Sequence, residues 1–162
     1  MIDTKKARRR DLRFHNLSDL EREVERLAAG ERAGRLACHG NWTLGQALGH
    51  LAAWMDYFYI GFPMARPSLP IRLIGRYLMK PSFLNGKMPV GTRIPGAKDG
   101  TYATDRLSLD EGIARFKAAI GRVRNGEVPV HHSPIFGPLT HDELMRLSMR
   151  HAELHLGFFD VG

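Results

Sequence analysis

Residues 140–158 read THDELMRLSMRHAELHLGF, and their apolar positions recur at the three- and four-residue spacing of an amphipathic helix. The stripe consists of Leu144, Leu147, His151, Leu154, His155 and Phe158. Because residues four apart lie on one face of a helix, we expect His151 and His155 to project side by side towards the core. Two imidazoles placed in this way can reach one metal ion.

Three further segments combine a helix start signal with an apolar stripe. A Ser or Thr followed three residues later by Glu or Gln is a capping box, in which both side chains satisfy backbone donors. The sequence predicts long helices at about residues 17–37, 43–60, 108–124 and 140–159, and it has no alternating strand pattern. This arrangement predicts an all-α fold, a four-helix bundle. The four predicted boxes are Ser18/Glu21, Thr43/Gln46, Ser108/Glu111 and Thr140/Glu143.

A third histidine, His50, lies with Trp54 on the flank of the apolar stripe of the second predicted helix. Gly49 beside it costs about 1 kcal/mol relative to Ala inside a helix, which close approach of another backbone or a ligand would explain. Burying unpaired polar groups is unfavourable, so three imidazoles in one small core need a partner. A metal held by His50, His151 and His155 is one explanation, and hydrogen-bonded core histidines are the other.

The sequence assigns no catalytic residue. In the metalloprotease helix motif the Glu directly follows the first His, whereas Glu153 lies two residues after His151. That separation is about 200° around a helix, so Glu153 is expected to point away from the triad and into solvent. His131 and His132 precede a proline-rich turn, and we expect them on a surface loop, although His132 is also placed well to line the mouth of the site.

A long basic connection, residues 63–107, separates the second and third predicted helices. Its residues 63–100 carry seven Lys or Arg against Asp99 alone. The stretch 68–80 predicts a short helix with Arg72 and Arg76 on one face, ended by Pro81, and the Gly- and Pro-rich residues 81–104 predict a loop. One interpretation is a lid whose Arg72 and Arg76 attract an anionic cofactor or substrate, and the simpler one is a solvated insertion.

Length and composition limit the remaining possibilities. The 162 residues predict one domain, 1–162, in which residues 1–13, with six Lys or Arg and two Asp, form a basic arm expected to be solvated. A single cysteine, Cys38, excludes an internal disulfide and a cysteine-based zinc finger. Without a membrane-length apolar run or a signal-peptide pattern, a cytoplasmic location is expected. No nucleic-acid recognition motif accompanies the charge, so the expected partner is a small molecule, with no nucleic acid and no membrane.

Several segments resemble the DinB-like (DinB/YfiT) superfamily. NWTLGQALGHLA, residues 41–52, is similar to the second-helix motif of that superfamily, in which a Trp-Ser/Thr start precedes a helix with a metal-binding His. His151 and His155 match its C-terminal histidine pair. The segments RRDLRF (9–14), PIFG (134–137) and HAELHL (151–156) resemble a bacterial subfamily of unknown function within it.

The resemblance implies a four-helix bundle of DinB type, often a homodimer, with a divalent metal (zinc, nickel or iron) held by His50, His151 and His155. It also implies a metal-dependent S-transferase or isomerase that uses a low-molecular-weight thiol such as mycothiol, bacillithiol or glutathione. Apart from the resemblance, Trp42 and Trp54 are expected in the core, and Trp54, one turn from His50, is also placed to wall a ligand pocket. The alternative is a non-catalytic bundle that binds a metal or small ligand and has a stress-related role.

Overall fold

Helices make up most of the chain over residues 2–94, 97 and 99–162, which the computed structural model describes. A π-helical turn, Gly75–Met79, joins α3 to α4, and strands β1 (Leu36–Cys38) and β2 (Phe159–Val161) pair antiparallel. None of the described helices is long and apolar enough to cross a bilayer. The α-helices are α1 (Leu17–Arg32), α2 (Leu44–Ile60), α3 (Leu69–Ile74), α4 (Lys80–Asn85), α5 (Leu109–Arg124) and α6 (His141–Leu156).

The predicted helical character is confirmed, but the small sheet was not predicted. It occupies the ends of two stretches that the sequence assigned to helices, 17–37 and 140–159. Gly34 adopts a φ of 66°, a left-handed conformation that ends α1 and frees Leu36 to lie opposite Val161. Strands of three residues are too short for the alternating pattern by which a strand is recognised.

The helix starts follow the predicted capping chemistry only in part. Thr43 caps α2 by accepting from the backbone N–H of Gln46, but the side chain of Gln46 donates to the carbonyl of Thr104 instead of closing the box. At α1 the predicted Ser18/Glu21 box is wrong, because Asn16 is the N-cap. Reciprocal capping boxes form at the starts of α5 and α6, with Ser108/Glu111 and Thr140/Glu143.

Pro81 does not end the helix predicted over residues 68–80. The helical backbone continues from Leu69 through the π-helical turn and into α4, which ends at Asn85. Proline lacks the N–H that an α-helix requires, and its ring crowds the preceding turn. The wider π-helical turn directly before α4 accommodates Pro81 without breaking the helix.

The core lies where α2 packs against α5, with α1 and α6 covering it. The two helices touch at glycines: a Cβ on Gly112 would lie 2.4 Å from the carbonyl oxygen of Gly45. At Gly49 the neighbour is the side chain of Leu107, which a Cβ would approach to 2.4 Å. We expected an adjacent backbone or ligand to explain Gly49, but its neighbour is a side chain. The close backbone contact lies one turn earlier, at Gly45.

Candidate metal centre

The imidazoles of His50, on α2, and of His151 and His155, on α6, converge at one point. Nε2 of His151 lies 3.3 Å from Nε2 of His50 and 3.1 Å from Nε2 of His155. One ligand nitrogen from each residue lies within 4.8 Å of the others. Two nitrogens bound to one tetrahedral zinc at about 2.0–2.1 Å are about 3.3–3.4 Å apart. The spacing therefore fits a shared metal ion.

The backbone fixes which nitrogen of His50 carries the proton. Its Nδ1 lies 2.9 Å from the carbonyl oxygen of Tyr102 and 3.3 Å from that of Ala103. Because a carbonyl oxygen only accepts, Nδ1 must donate, and the Nε2 of the neutral ring presents its lone pair to the other two histidines. A backbone carbonyl on the far nitrogen is the usual support of a metal-binding histidine.

Burial keeps the three rings in their neutral form. His50 is 1% exposed, and burial lowers the pKa of His50 to about 4. Burial and the neighbouring imidazoles lower the pKa of His151 and that of His155 well below the usual value. Neutral imidazole is the form that binds a metal, so no deprotonation is needed at neutral pH.

Two tryptophans enclose the triad. The ring of Trp42 stacks on that of His155, with centroids 5.1 Å apart and planes 6° from parallel. Trp54 meets His151 edge to face, with centroids 5.9 Å apart. Trp54 was expected beside the site, whereas Trp42 was missed because it reads as a core residue. Trp42 precedes the N-cap Thr43 and so lies outside α2, and helical spacing therefore gave no signal that it would meet the triad.

A cavity of about 750 Å³ adjoins the triad. Ligand pockets in proteins commonly have volumes of about 300–1,000 Å³, so this one has room for a small molecule. Much of the lining is apolar, and the N-terminal arm and the long connection contribute polar residues to it. The apolar residues include Phe58, Phe62, Phe83, Phe136, Leu147 and Phe158, and the polar residues include Asp3, Lys5, Arg93, Asp99 and Thr101.

The basic arm is not simply solvated, as the sequence suggested. The backbone of Ile2 exchanges two hydrogen bonds with the side chain of Asn41, at 2.8 and 2.9 Å. The guanidinium of Arg10 donates to Glu23 at 2.5 Å. Residues 3–5 and 88–94 line the same cavity, so the arm and the connection cover the site together.

Within the connection, the predicted Gly- and Pro-rich loop includes Pro95, Gly96 and Lys98, which lie outside the described residues.

Arg72 and Arg76 do not line this cavity, although the sequence analysis gave them a cofactor-binding role. The face of the helical segment that meets the rest of the protein carries Gly75, Met79 and Phe83, at four-residue spacing. Arg72 precedes these three positions and Arg76 directly follows Gly75, so neither arginine shares their four-residue spacing. Arg76 places its guanidinium 5.7 Å from the ring centre of Tyr77.

Glu153 is buried, and the expectation of a solvent-exposed side chain was wrong. It does point away from the triad, but the end of the arm and the adjacent Phe14 cover that side of α6. Its Oε1 accepts from the backbone N–H of Phe14 at 2.5 Å and lies 2.9 Å from the guanidinium of Arg150. His131 and His132 are exposed and do not line the cavity, as expected for a surface loop.

A protein-family model matches nearly the whole chain. The model of a family described as "Protein of unknown function (DUF1569)" matches residues 6–161. No curated protein and no solved structure matches the chain.

The match corrects the assignment made from the resemblance, because no DinB-like family model matches. The two motifs that suggested the superfamily itself consist of a capped helix start and three histidines. Any helical protein with such a site needs these features, so they do not identify a superfamily. The thiol chemistry and dimer that the resemblance implied thereby lose that support. Since the match spans nearly the whole chain, this protein belongs to the DUF1569 family of unknown function.

Proposed function

We propose that the protein is a metal-dependent enzyme that acts on a small, largely apolar molecule. His50, His151 and His155 would hold one divalent cation, with zinc, nickel and iron as the candidates. The observation that carries the proposal is the convergence of three Nε2 atoms next to the cavity of about 750 Å³. We further propose that α1, α2, α5 and α6 act as a bundle that holds the three ligands in place.

Three protein ligands distinguish a catalytic metal from a structural one. Structural zinc sites are closed by four protein ligands, whereas catalytic sites have three and leave a position for water or substrate. His50, His151 and His155 would hold the metal, which when bound would lower the pKa of a water or thiol and so supply a nucleophile at neutral pH. Hydrolysis and thiol transfer both follow from that chemistry, and a thiol-dependent S-transferase or isomerase remains one form of the proposal.

The chain itself supplies orientation and exclusion of water. Tyr102 orients His50 through its carbonyl group, and Trp42 fixes the plane of His155 by stacking. The aromatic lining of the cavity favours an apolar substrate. The polar residues Lys5, Arg93 and Asp99, which also line the cavity, would select a polar group of that substrate.

Metal content tests the site directly. The purified protein is incubated with zinc, nickel or ferrous iron, freed of excess metal, and analysed for elements beside His151→Ala and His155→Ala. The matched control is His132→Ala, which removes an exposed histidine outside the cavity. We expect about one metal per chain in the wild type and the control, and loss in both triad variants. Absence of metal from the wild type would overturn the proposal.

A cobalt-substituted protein tests whether the metal has an open position. Addition of azide or 2-mercaptoethanol is expected to change the visible absorption of the cobalt, because a fourth ligand joins the three histidines. Screens for ester hydrolysis and for thiol transfer to apolar electrophiles then identify the reaction. A spectrum that no added ligand changes would indicate a closed site and favour the non-catalytic, metal-binding alternative.

A further inference from the structure

The helical segment 69–79, formed by α3 and the π-helical turn, turns a broad apolar face to solvent. Soluble proteins seldom leave large apolar side chains clustered on one surface, and such patches usually mark an interaction site. These side chains are between 47% and 70% exposed. They are Leu69, Ile71, Leu73, Ile74, Tyr77 and Leu78.

The opposite side of the segment is firmly attached to the rest of the protein. A Cβ on Gly75 would lie 2.5 Å from the carbonyl oxygen of Ile135, so the backbones are in close contact. Lys80 forms an ion pair of 2.8 Å with Glu143 at the start of α6. The apolar face is therefore presented outwards by an anchored helix.

The charge around this face has one sign. No Asp or Glu occurs from residue 57 to residue 98. Among the described residues, Arg66, Arg72 and Arg76 form no ion pair. A helix with an exposed apolar face flanked by unpaired basic residues has the character of a segment that lies in the surface of an anionic membrane.

We propose that residues 69–79 dock the protein on an anionic lipid surface, with Leu73, Tyr77 and Leu78 entering the interface and Arg72 and Arg76 meeting lipid phosphates. This revises the expectation of no membrane partner, which rested on the sequence alone. The proposal does not depend on the metal site, since none of these five residues contributes a metal ligand or lines the cavity.

A second copy of the chain fits the face less well. An isologous dimer places the same patch on both partners. Arg72 and Arg76 of each copy would then face those of the other, and the acid-free stretch 57–98 offers no carboxylate to neutralise them. An anionic lipid surface supplies the missing negative charge.

Flotation with lipid vesicles tests the proposal on the full-length protein. We expect it to float with vesicles of phosphatidylcholine and phosphatidylglycerol but not with phosphatidylcholine alone, and to be released by high salt as screening increases. Arg72→Gln with Arg76→Gln should weaken partitioning roughly thirty-fold, given about 1 kcal/mol per basic residue. Absence of flotation with the anionic vesicles would overturn the proposal.

A second pair of variants tests the apolar contact. Tyr77→Ser with Leu78→Ser should reduce flotation by about tenfold or more, with unchanged circular dichroism because both side chains are exposed. The control, Val128→Ser with Val130→Ser, removes apolar side chains that are equally exposed but lie outside the segment, and should float like the wild type. Flotation of the Tyr77/Leu78 variant to the same extent as the wild type would contradict the proposal. So would a dimer in light scattering that this variant dissociates, because the face would then be a protein interface.

Discussion

The Nδ1 of His50 donates a hydrogen bond of 2.9 Å to the backbone carbonyl of Tyr102. This bond connects the end of the long connection to His50 of α2, which belongs to the candidate metal site. The next residue, Ala103, has a φ of 56°, which is uncommon for a residue with a side chain and costs about 1–3 kcal/mol. The chain thus holds a strained backbone where two carbonyl groups meet His50, as expected where orientation of a functional side chain matters.

The first prediction concerns the tautomer of His50. In the metal-free protein its ring should be neutral with the proton on Nδ1, because the Tyr102 carbonyl can only accept. Long-range nitrogen–carbon-bound proton correlation spectra of labelled protein distinguish the two ring nitrogens, and His50→Gln assigns the signals. A spectrum with the proton on Nε2 would contradict the geometry and remove the lone pair that the metal site needs.

The sequence predicted the convergence of His151 and His155 because the signal for it is local, whereas their role as metal ligands stays a prediction. Helical spacing alone places His151 and His155 on one face, and the apolar stripe directs that face inwards. Trp42, Tyr102 and the burial of Glu153 could not be predicted in this way. Their roles depend on which distant segment covers them, and periodicity within one helix carries no information about that.

The same difference between local signals and contacts with distant segments explains the errors in the predicted fold. Pro81 is a strong local breaker, yet the π-helical turn before it lets the helix continue. The strand 36–38 pairs with residues 159–161, which are far away along the chain. Short elements stabilised by distant partners therefore stayed hidden, whereas the long periodic helices did not.

The second prediction compares two glycines of α5. Gly112→Ala should destabilise the protein by about 1–3 kcal/mol, because its Cβ would meet the backbone of Gly45 at 2.4 Å and α2 would have to move. Gly121→Ala adds a methyl group where nothing lies within 4 Å and should stabilise by about 0.5–1 kcal/mol. Urea unfolding measures both. Equal effects of the two substitutions would show that α2 and α5 are not packed so closely.

The third prediction concerns the start of α1. Asn16→Ala should cost about 1 kcal/mol, since the Asn16 side chain accepts a hydrogen bond of 2.9 Å from the backbone N–H of Asp19. Ser18→Ala should change the free energy of unfolding by no more than about 0.5 kcal/mol, the range of ordinary surface substitutions. Thermal unfolding of the pair decides between the observed cap and the capping box suggested by the sequence. A larger loss of stability in Ser18→Ala than in Asn16→Ala would support the Ser18/Glu21 capping box instead.

The fourth prediction tests the buried ion pair on α6. Glu153→Ala leaves the guanidinium of Arg150, which is 4% exposed, without its 2.9 Å partner, and should cost about 3–5 kcal/mol. Glu153→Gln keeps an acceptor for the N–H of Phe14 and should cost less. Urea unfolding measures the losses, and metal content is expected to remain unchanged in Glu153→Gln. Loss of metal from that folded variant would show that Glu153 acts on the site and does not merely attach the arm.

The last prediction uses the two tryptophans as reporters of the metal. Cobalt or nickel bound by the triad would lie close to both indoles, because Trp42 is stacked on His155 and Trp54 contacts His151. Paramagnetic ions quench nearby fluorophores, so titration of the wild type should lower its tryptophan emission until about one metal per chain is bound. Trp42→Phe and Trp54→Phe should each retain quenching of the remaining tryptophan, whereas His151→Ala should show none at the same metal concentration. Zinc, which has no unpaired electrons, should bind without this quenching and should prevent it when added first. Quenching that persists in His151→Ala would place the bound metal away from the triad.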